Sequence, residues 1–254
     1  MSRTIALAGK GGTGKTTTAA LLIRHLIKTG RTPILAVDAD PNANLNELLG
    51  VDVDVTLGEI KNELRTAVPD SMARGDFIEM RLNEAVIETD DFDLIVMGQP
   101  EGPGCYCAAH AFLSQALEKL MKNYAYVVVD NEAGMEHLSR LNMRNIDHLL
   151  VVSDASSRGV MTAGRIAELI KPLQLEVGTV WLLVNRAPQE IPQTLDDYVQ
   201  KICDEKDMKF LGYLKESQEV FEAEIARRPL LELVDNTEIV KEASQLFEKI
   251  LKGA

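Results

Sequence analysis

One stretch near the start of the chain decides the fold: G-K-G-G-T-G-K-T-T, residues Gly9–Thr17. A short apolar run, Ile5–Ala8, precedes it, and a helix-length amphipathic segment near Lys15–Thr29 follows it. A glycine-rich turn between a strand and a helix lets successive backbone N–H groups point at an anion, and the start of the helix adds partial positive charge. The stretch therefore predicts a loop that binds phosphate groups.

Outward from this loop, short apolar runs alternate with helix-length amphipathic segments. The runs lack polar–apolar alternation, so they predict strands that are covered on both faces. Further strands are expected at Ile34–Val37, Leu94–Met97, Tyr126–Val129, Leu149–Val152, Val180–Val184 and Phe210–Leu214. Further helices are expected near Ala108–Lys122, Val160–Leu173, Leu195–Lys206, Val220–Arg227 and Glu238–Lys252. This rhythm predicts an α/β fold, a doubly wound and mostly parallel sheet with helices on both faces.

The 254 residues are enough for one large domain with a buried core. We expect residues 1–254 to form that single domain, with an irregular insertion at about 51–92, where charge is mixed and periodicity is least clear. The last segment places Ile239, Leu246 and Phe247 on one face of a helix. Its polar face carries both Glu and Lys, so we expect it to pack on the sheet and not to bind a membrane surface.

Bulk charge and composition exclude several classes of function. The formal net charge is −12, which disfavours diffuse binding to nucleic acid or to anionic lipid. No run of 18 apolar residues is present, and the first predicted strand leaves no room for a signal peptide. The three cysteines do not suggest a disulfide framework. We therefore expect a cytoplasmic protein with neither a nucleic-acid nor a membrane partner.

Within the phosphate-binding loop, residue types suggest separate roles. The ammonium group of Lys15 is expected to neutralise the β- and γ-phosphates of a nucleotide, and the Thr16 hydroxyl to bind Mg²⁺. Backbone and hydroxyl groups are expected to complete the nucleotide contacts. The predicted nucleotide-binding residues of the loop are Gly11, Gly12, Thr13, Gly14, Lys15, Thr16 and Thr17.

Carboxylates follow two of the predicted strands. Right-handed crossovers would bring the ends of these strands to the same edge of the sheet as the loop. Asp130 follows four apolar strand residues and is expected to hold Mg²⁺ through water. Asp38 is expected either to hold Lys15 or to join the Mg²⁺ shell, and Asn44 to contact a metal-bound water. Gly134 would let a switch loop, switch II, sense the γ-phosphate through its N–H group.

Lys10 adds a more specific resemblance. A lysine near the start of such a loop is the signature of the deviant Walker A group, which includes the nitrogenase iron protein and the cell-division and partition ATPases. The resemblance implies a homodimer in which Lys10 reaches the phosphates of the partner's nucleotide and acts in catalysis as an arginine finger does elsewhere. Asp40 resembles the residue of this group that positions the attacking water.

The end of the strand Val180–Val184 leads into Asn185 and Arg186, which we predict to bind the nucleotide. Asparagine offers a donor and an acceptor, which suits the edge of adenine. In related ATPases an asparagine at this place contacts the base, which favours ATP over GTP. An Asn-Lys-x-Asp signature for guanine is absent from the sequence.

Cys105 and Cys107 lie in a Pro- and Gly-rich loop between the strand Leu94–Met97 and a helix. Two thiolates on one loop make half of a metal site, and a two-fold dimer would supply the other half. Four thiolates hold Zn²⁺ in a tetrahedron or Ni²⁺ in a square plane. Two further residues could be considered as metal ligands. His110, which follows Cys107 closely, is expected to be solvated, and Cys203, much later in the chain, is expected to be a packing residue.

Taken together, these motifs resemble the CooC-type nickel-insertion ATPases that serve carbon monoxide dehydrogenase. The stretch Pro100–Cys107 looks closest to the AcsF-like branch, associated with acetyl-CoA synthase. The resemblance implies that ATP closes the dimer and that hydrolysis to ADP, slow in isolation, releases nickel from Cys105 and Cys107 to the client enzyme. The other motifs that carry it are Gly9–Thr17, Asp38–Asn44, Asp130–Arg140 and Val184–Arg186.

Two alternatives remain at this stage. The first is an iron–sulfur carrier or electron-transfer ATPase of the iron-protein type, in which the cysteines hold a cluster. The second is a positioning ATPase that acts on membrane or DNA. The acidic net charge and the balanced charges of the last helix argue against the second alternative.

Overall fold

The computed structural model describes residues 2–66, 68–69, 71–99, 107–132, 135, 143 and 145–252. For residues 65, 66 and 107–112 only the backbone is described. The strands are β1 (Arg3–Gly9), β2 (Ile34–Asp38), β3 (Ile87–Glu88), β4 (Asp93–Val96), β5 (Tyr126–Asp130), β6 (Asn145–Asp154), β7 (Glu176–Ala187) and β8 (Lys209–Lys215). The helices of the described ranges are α1 (Lys15–Lys28), α2 (Leu45–Leu49), α3 (Leu57–Thr66), α4 (Arg74–Ala85), α5 (Cys107–Met121), α6 (Ser157–Glu168), α7 (Gln193–Glu205), α8 (Gln218–Ile225) and α9 (Glu238–Lys252).

The strands form one eight-stranded sheet in the order β3-β4-β2-β5-β1-β6-β7-β8. Every neighbouring pair is parallel except β3 with β4, which is antiparallel. Within the described ranges, helices connect β1 to β2, β4 to β5, β6 to β7 and β7 to β8, and each of these connections crosses over the sheet to a parallel strand. The predicted doubly wound α/β fold is confirmed.

Both faces of the sheet are covered, as the uninterrupted apolar strands predicted. In β1, Ala6 and Ala8 belong to one core while Ile5 and Leu7 belong to the other, because successive side chains point to opposite faces. Helices α3 to α7 cover the first core, and helices α1, α2, α8 and α9 cover the second. The strands at the centre of the sheet are therefore buried over almost their whole length.

The region at about 51–92 differs from the irregular insertion that the sequence suggested. It contains α3, α4 and the short edge strand β3. Apolar residues at helical spacing, among them Ile60 and Phe77, are buried in the same core as the centre of the sheet. The mixed charges that obscured this spacing lie on the outer surface, where Arg81 forms an ion pair with Glu63 at 2.7 Å. The region therefore contributes two helices to the shared core.

The last helix, α9, packs against the sheet as expected, with Ile239, Leu246 and Phe247 buried in the second core. Its Glu248 carboxylate accepts a hydrogen bond from His25 Nε2 at 2.9 Å and pairs with Arg31 at 2.7 Å. These contacts attach α9 to α1, the helix that follows the phosphate-binding loop. No helix of the described ranges has the length and apolar character needed to cross a membrane.

We predict that replacing Ile60 by Ala lowers the free energy of unfolding of the whole domain by about 2–5 kcal/mol, because the side chain is fully buried and its loss leaves a cavity. The matched control is Ile225→Ala, whose side chain is 69% exposed, with an expected change below about 0.5 kcal/mol. Urea denaturation followed by circular dichroism measures both. An early, separate transition confined to residues 51–92 would contradict a shared core.

Candidate functional site

The functional candidates meet at the carboxyl edge of the three central strands. In the parallel register Leu7 pairs with Asp130 and Asp38 also pairs with Asp130. The strand β1 runs two residues beyond Leu7 and then enters the loop Lys10–Gly14. The loop and the two aspartates are therefore neighbours at the same edge, as right-handed crossovers predicted.

The carbonyl of Lys10 organises the inside of the phosphate-binding loop. It accepts hydrogen bonds from Thr13 Oγ1 at 2.9 Å, from Thr13 N at 3.4 Å and from Lys15 Nζ at 3.3 Å. Gly9 enters the loop beside β6, where an added Cβ would lie 2.4 Å from the Val152 carbonyl oxygen. Glycine is thus required at this position, and the Lys10 side chain itself is exposed.

Helix α1 starts at the end of this loop. Gly14 is its N-cap residue, with φ of 86°, and its first turn carries no acidic residue. The Lys15 side chain is 8% exposed, and its burial lowers the pKa of the ammonium group, while Asp130, Asp40 and Glu132 act in the opposite direction. The loop therefore brings a buried cation and the amide end of a helix to one point, an arrangement suited to a polyphosphate.

Asp130 is the buried acid of the site, at 1% exposure. Burial raises the pKa of its carboxyl group to about 7, and the nearby Asp38 adds to the effect. A hydrogen bond with the Thr16 side chain and the charge of Lys15 act against it. Its Oδ1 is buried without a hydrogen-bond partner in the described structure. A carboxylate oxygen left over beside a threonine hydroxyl matches the oxygen ligands that Mg²⁺ prefers.

Asp38 is fully buried and shapes the loop that follows β2. Its Oδ1 accepts from the Asp40 N–H at 3.0 Å, and its Oδ2 accepts from the Leu45 N–H at 2.9 Å. Burial raises the pKa of the Asp38 carboxyl group to about 6, although backbone hydrogen bonds from Leu45, Asp40 and Asn44 act to lower it. The contacts described for Asp38 thus go to backbone groups of its own loop, in addition to its place beside Asp130 in the sheet.

Asp40 and Asn44 lie on the more open side of the same loop. The Asp40 Oδ1 accepts from the Asn42 N–H at 2.9 Å and from Asn42 Nδ2 at 3.1 Å, so the carboxylate is oriented by its own turn. Asn44 is exposed at the start of α2 and makes no side-chain cap. Their roles toward water and the metal shell stay predictions.

Asn185 and Arg186 contact the phosphate-binding loop from the end of β7. Asn185 Nδ2 donates to the Thr13 carbonyl at 2.9 Å, and the Arg186 guanidinium donates to the Gly12 carbonyl at 3.2 Å. Contact of Asn185 with adenine stays a prediction. The sequence placed both residues at this edge but gave no sign that they touch the loop.

A cavity of about 260 Å³ opens beside the loop, between α1, α2 and the end of α8. The Thr17 hydroxyl donates to Glu224 Oε1 across it at 3.0 Å. Arg227 and Arg228 line the same cavity. Sequence reasoning missed Glu224 and the two arginines that follow α8, because they lie about 200 positions from the loop and belong to no local motif. A charged cluster at the end of a predicted helix was the one available signal.

Several predicted residues lie outside what the structure describes. Cys105 and Gly134 are outside the described residues, and Cys107 is described only as the first backbone position of α5. The side chain of His110 is likewise not described. Within the described ranges, no group of three or more His, Cys, Asp and Glu residues is placed to hold a metal. Cys203 is buried, which raises the pKa of its thiol to about 11 and fits the predicted packing role.

We predict that Asp130→Asn changes the pH dependence of stability in the nucleotide-free protein. A carboxyl group whose pKa is raised by folding stabilises at low pH, and this contribution is lost as pH rises toward 7. The amide avoids this loss, so the variant should gain about 1–3 kcal/mol relative to the wild type between pH 5 and pH 8. Denaturation in chelator at several pH values measures the gain.

The control is Asp235→Asn, because the Arg24 hydrogen bond lowers the pKa of the Asp235 carboxyl group. Its difference from the wild type should stay constant between pH 5 and pH 8, because a carboxyl group with a lowered pKa is ionised throughout this range in both the folded and the unfolded state. A difference between Asp130→Asn and wild type that does not vary from pH 5 to pH 8 would contradict the raised pKa of Asp130.

Comparison with known proteins shows which family this chain belongs to. Residues 4–230 match the CbiA family, the CobQ/CobB/MinD/ParA nucleotide binding domain. An uncharacterized ATP-binding protein of Methanocaldococcus jannaschii is 39% identical over 97% of this chain and 98% of its own length. The carbon monoxide dehydrogenase accessory protein CooC of Rhodospirillum rubrum is 29% identical over 76% of this chain and 78% of its own.

Solved structures agree on the fold. The cell division ATPase MinD of Pyrococcus furiosus has a TM-score of 0.71 at 22% identity and covers 100% of both chains. A ParA family ATPase from Chlorobium tepidum has a TM-score of 0.72 at 19% identity over 98% of each chain. The family match spans most of the sequence and includes the loop, Asp38 and Asp130. The chain therefore belongs to the CobQ/CobB/MinD/ParA family of P-loop nucleotide-binding proteins.

Proposed function

We propose that this chain is an ATPase that acts as a homodimer and delivers nickel to carbon monoxide dehydrogenase or acetyl-CoA synthase. The ATPase part is supported by the arrangement of Lys15, Thr16 and Asp130 at the carboxyl edge of the sheet. The nickel part is supported by similarity to CooC and by the place of Cys107 as the first residue of α5.

The buried acid and the threonine hydroxyl fit Mg²⁺. Thr16 and Asp130 would hold it, and the unpartnered Oδ1 of Asp130 gives the metal an oxygen that no described group uses. When bound, Mg²⁺ would neutralise charge on the nucleotide phosphates. It would also offset the repulsion between Asp130 and Asp38, which lie side by side on neighbouring strands.

This chain's own groups divide the work of hydrolysis. Lys15 and the N–H groups at the start of α1 bind the phosphates. Asp40 orients the attacking water, with its carboxylate held by the Asn42 turn. The Lys10 side chain is exposed, while its carbonyl organises the loop, and in the proposed dimer this side chain reaches the phosphates bound by the partner subunit.

The position of α5 supports a metal site close to the nucleotide site. The strands β4 and β5 are both parallel to β2, so α5, which connects them, must start near the carboxyl edge and run back across the sheet. Cys107, the first residue of α5, therefore lies near the edge that carries the phosphate-binding loop. A dimer that joins these edges would bring four thiolates around one nickel ion, or around Zn²⁺.

ATP can change nickel affinity only if it favours one dimer state over the other, and nickel must then change ATP affinity by the same factor. Release to a client follows if hydrolysis ends the state that holds the metal tightly. Rhodospirillum rubrum CooC is an accessory protein of carbon monoxide dehydrogenase, which makes a nickel enzyme of this kind the proposed client. Of the two proposed clients, carbon monoxide dehydrogenase and acetyl-CoA synthase, the AcsF-like resemblance of Pro100–Cys107 favours acetyl-CoA synthase.

We predict that the dimer binds one Ni²⁺ and that Cys105→Ala/Cys107→Ala abolishes this binding. Anaerobic nickel titration with native mass measurement gives both the stoichiometry and the assembly state. The control is Cys203→Ala, a buried thiol away from the loop, which should keep the metal. A double variant that still binds one nickel per dimer would refute the assignment. Iron and visible absorption in the purified wild type would instead support the iron–sulfur alternative.

We predict that Lys10→Ala and Asp40→Ala are each nearly inactive in ATP hydrolysis but recover activity when mixed. In a mixed dimer, one site has an intact Asp40 and receives Lys10 from the partner. Random assortment would restore roughly a quarter of wild-type activity, because half of the dimers would carry one complete site. A phosphate-release assay measures it. Absence of recovery, with both variants folded and binding nucleotide, would show that Lys10 does not act across the dimer.

A further inference from the structure

Two consecutive residues at the end of β7 hold two consecutive carbonyls of the phosphate-binding loop. Asn185 is 6% exposed, and its Nδ2 donates to the Thr13 carbonyl at 2.9 Å. Arg186 follows with φ of 51°, a left-handed conformation that is uncommon for a residue with a side chain. Its guanidinium donates to the Gly12 carbonyl at 3.2 Å.

A fixed carbonyl fixes the N–H of the same peptide. Because a trans peptide is planar, its C=O and N–H groups point in opposite directions. Holding the Thr13 carbonyl therefore sets the direction of the Gly14 N–H, at the N-cap of α1. The N–H groups at a helix start lack partners within the helix and are the donors that an anion uses. Asn185 thus acts on a phosphate-binding donor through the peptide it holds.

Gly14 is matched to this contact. A Cβ at Gly14 would lie 2.3 Å from Asn185 Nδ2, which is closer than any side chain tolerates. At Gly12, by contrast, an added Cβ would meet nothing within 4 Å. The absent side chain at Gly14 therefore gives Asn185 room to reach the loop, besides permitting the φ of 86°.

We propose that Asn185 and Arg186 are positioning residues for the phosphates, which set the shape of the loop by holding the carbonyls of Thr13 and Gly12. The inference rests on the proposed nucleotide binding and gives these residues a role that does not involve the base. A base-reading Asn185 would affect only ligands with a base, whereas a positioning Asn185 affects every polyphosphate.

The test compares MgATP with inorganic tripolyphosphate, which has no base. Displacement of a fluorescent ATP analogue measures the affinity of each. We expect Asn185→Ala to weaken both ligands by the same factor, about fivefold to tenfold, the effect of one buried hydrogen bond. Arg186→Ala should weaken both by a smaller common factor, because its side chain is exposed. The control Asn145→Ala, exposed at the opposite end of β6, should leave both affinities unchanged.

Urea midpoints of the nucleotide-free variants equal to that of the wild type would separate loop positioning from a loss of folding. If Asn185→Ala did not fold, the affinities of Arg186→Ala for MgATP and for tripolyphosphate would test the proposal in its place. Weakened ATP with unchanged tripolyphosphate would overturn the proposal in favour of base recognition, and unchanged affinity for both ligands would overturn it outright. A wild type that binds neither ligand would refute nucleotide binding itself, before any variant is measured.

Discussion

The register between β2 and β5 places two carboxylates, Asp38 and Asp130, side by side in a buried environment, and the site depends on how that charge is balanced. Burial raises the pKa of both groups, so the protein resists holding two negative charges there without a cation. Lys15 supplies one, and its own burial keeps it close to the acids. Strand pairing thus places two acids where a metal ion bound with phosphate would offset their repulsion, and such binding would stabilise the folded chain.

The parts of this structure that could be predicted from the sequence are those in which local pattern and tertiary environment agree. Strands such as β2 are apolar up to their last residue, Asp38, because both of their faces are covered, and this identifies them without any partner. The spacing of Lys15, Asp38 and Asp130 from the ends of strands identified the edge of the sheet. Parallel connectivity then brought them together with no further information.

The parts that could not be predicted depend on partners distant in sequence. Helices α3 and α4 were not predicted, and the ion pair between Arg81 and Glu63 that joins them forms only after the two helices pack. The two-residue strand β3 is held by its pairing with β4 and carries little propensity of its own. The contact between Thr17 and Glu224, and that between Asn185 and Thr13, join residues whose proximity depends on the whole fold. A sequence pattern reports the type of a residue but not which backbone group it will hold.

The strand β1 has a consequence for how such a protein can change over evolution. Its alternate residues form the walls of two separate cores, and its last residue leads into the loop with no spacer. Insertion or deletion of one residue in β1 would move its side chains to the opposite faces of the sheet and would also displace the phosphate-binding loop. One such change would therefore damage both the packing of the cores and the loop. We therefore expect changes in chain length to be tolerated better outside β1 and the loop that follows it. Relatives of this chain are then expected to keep the length of β1 constant.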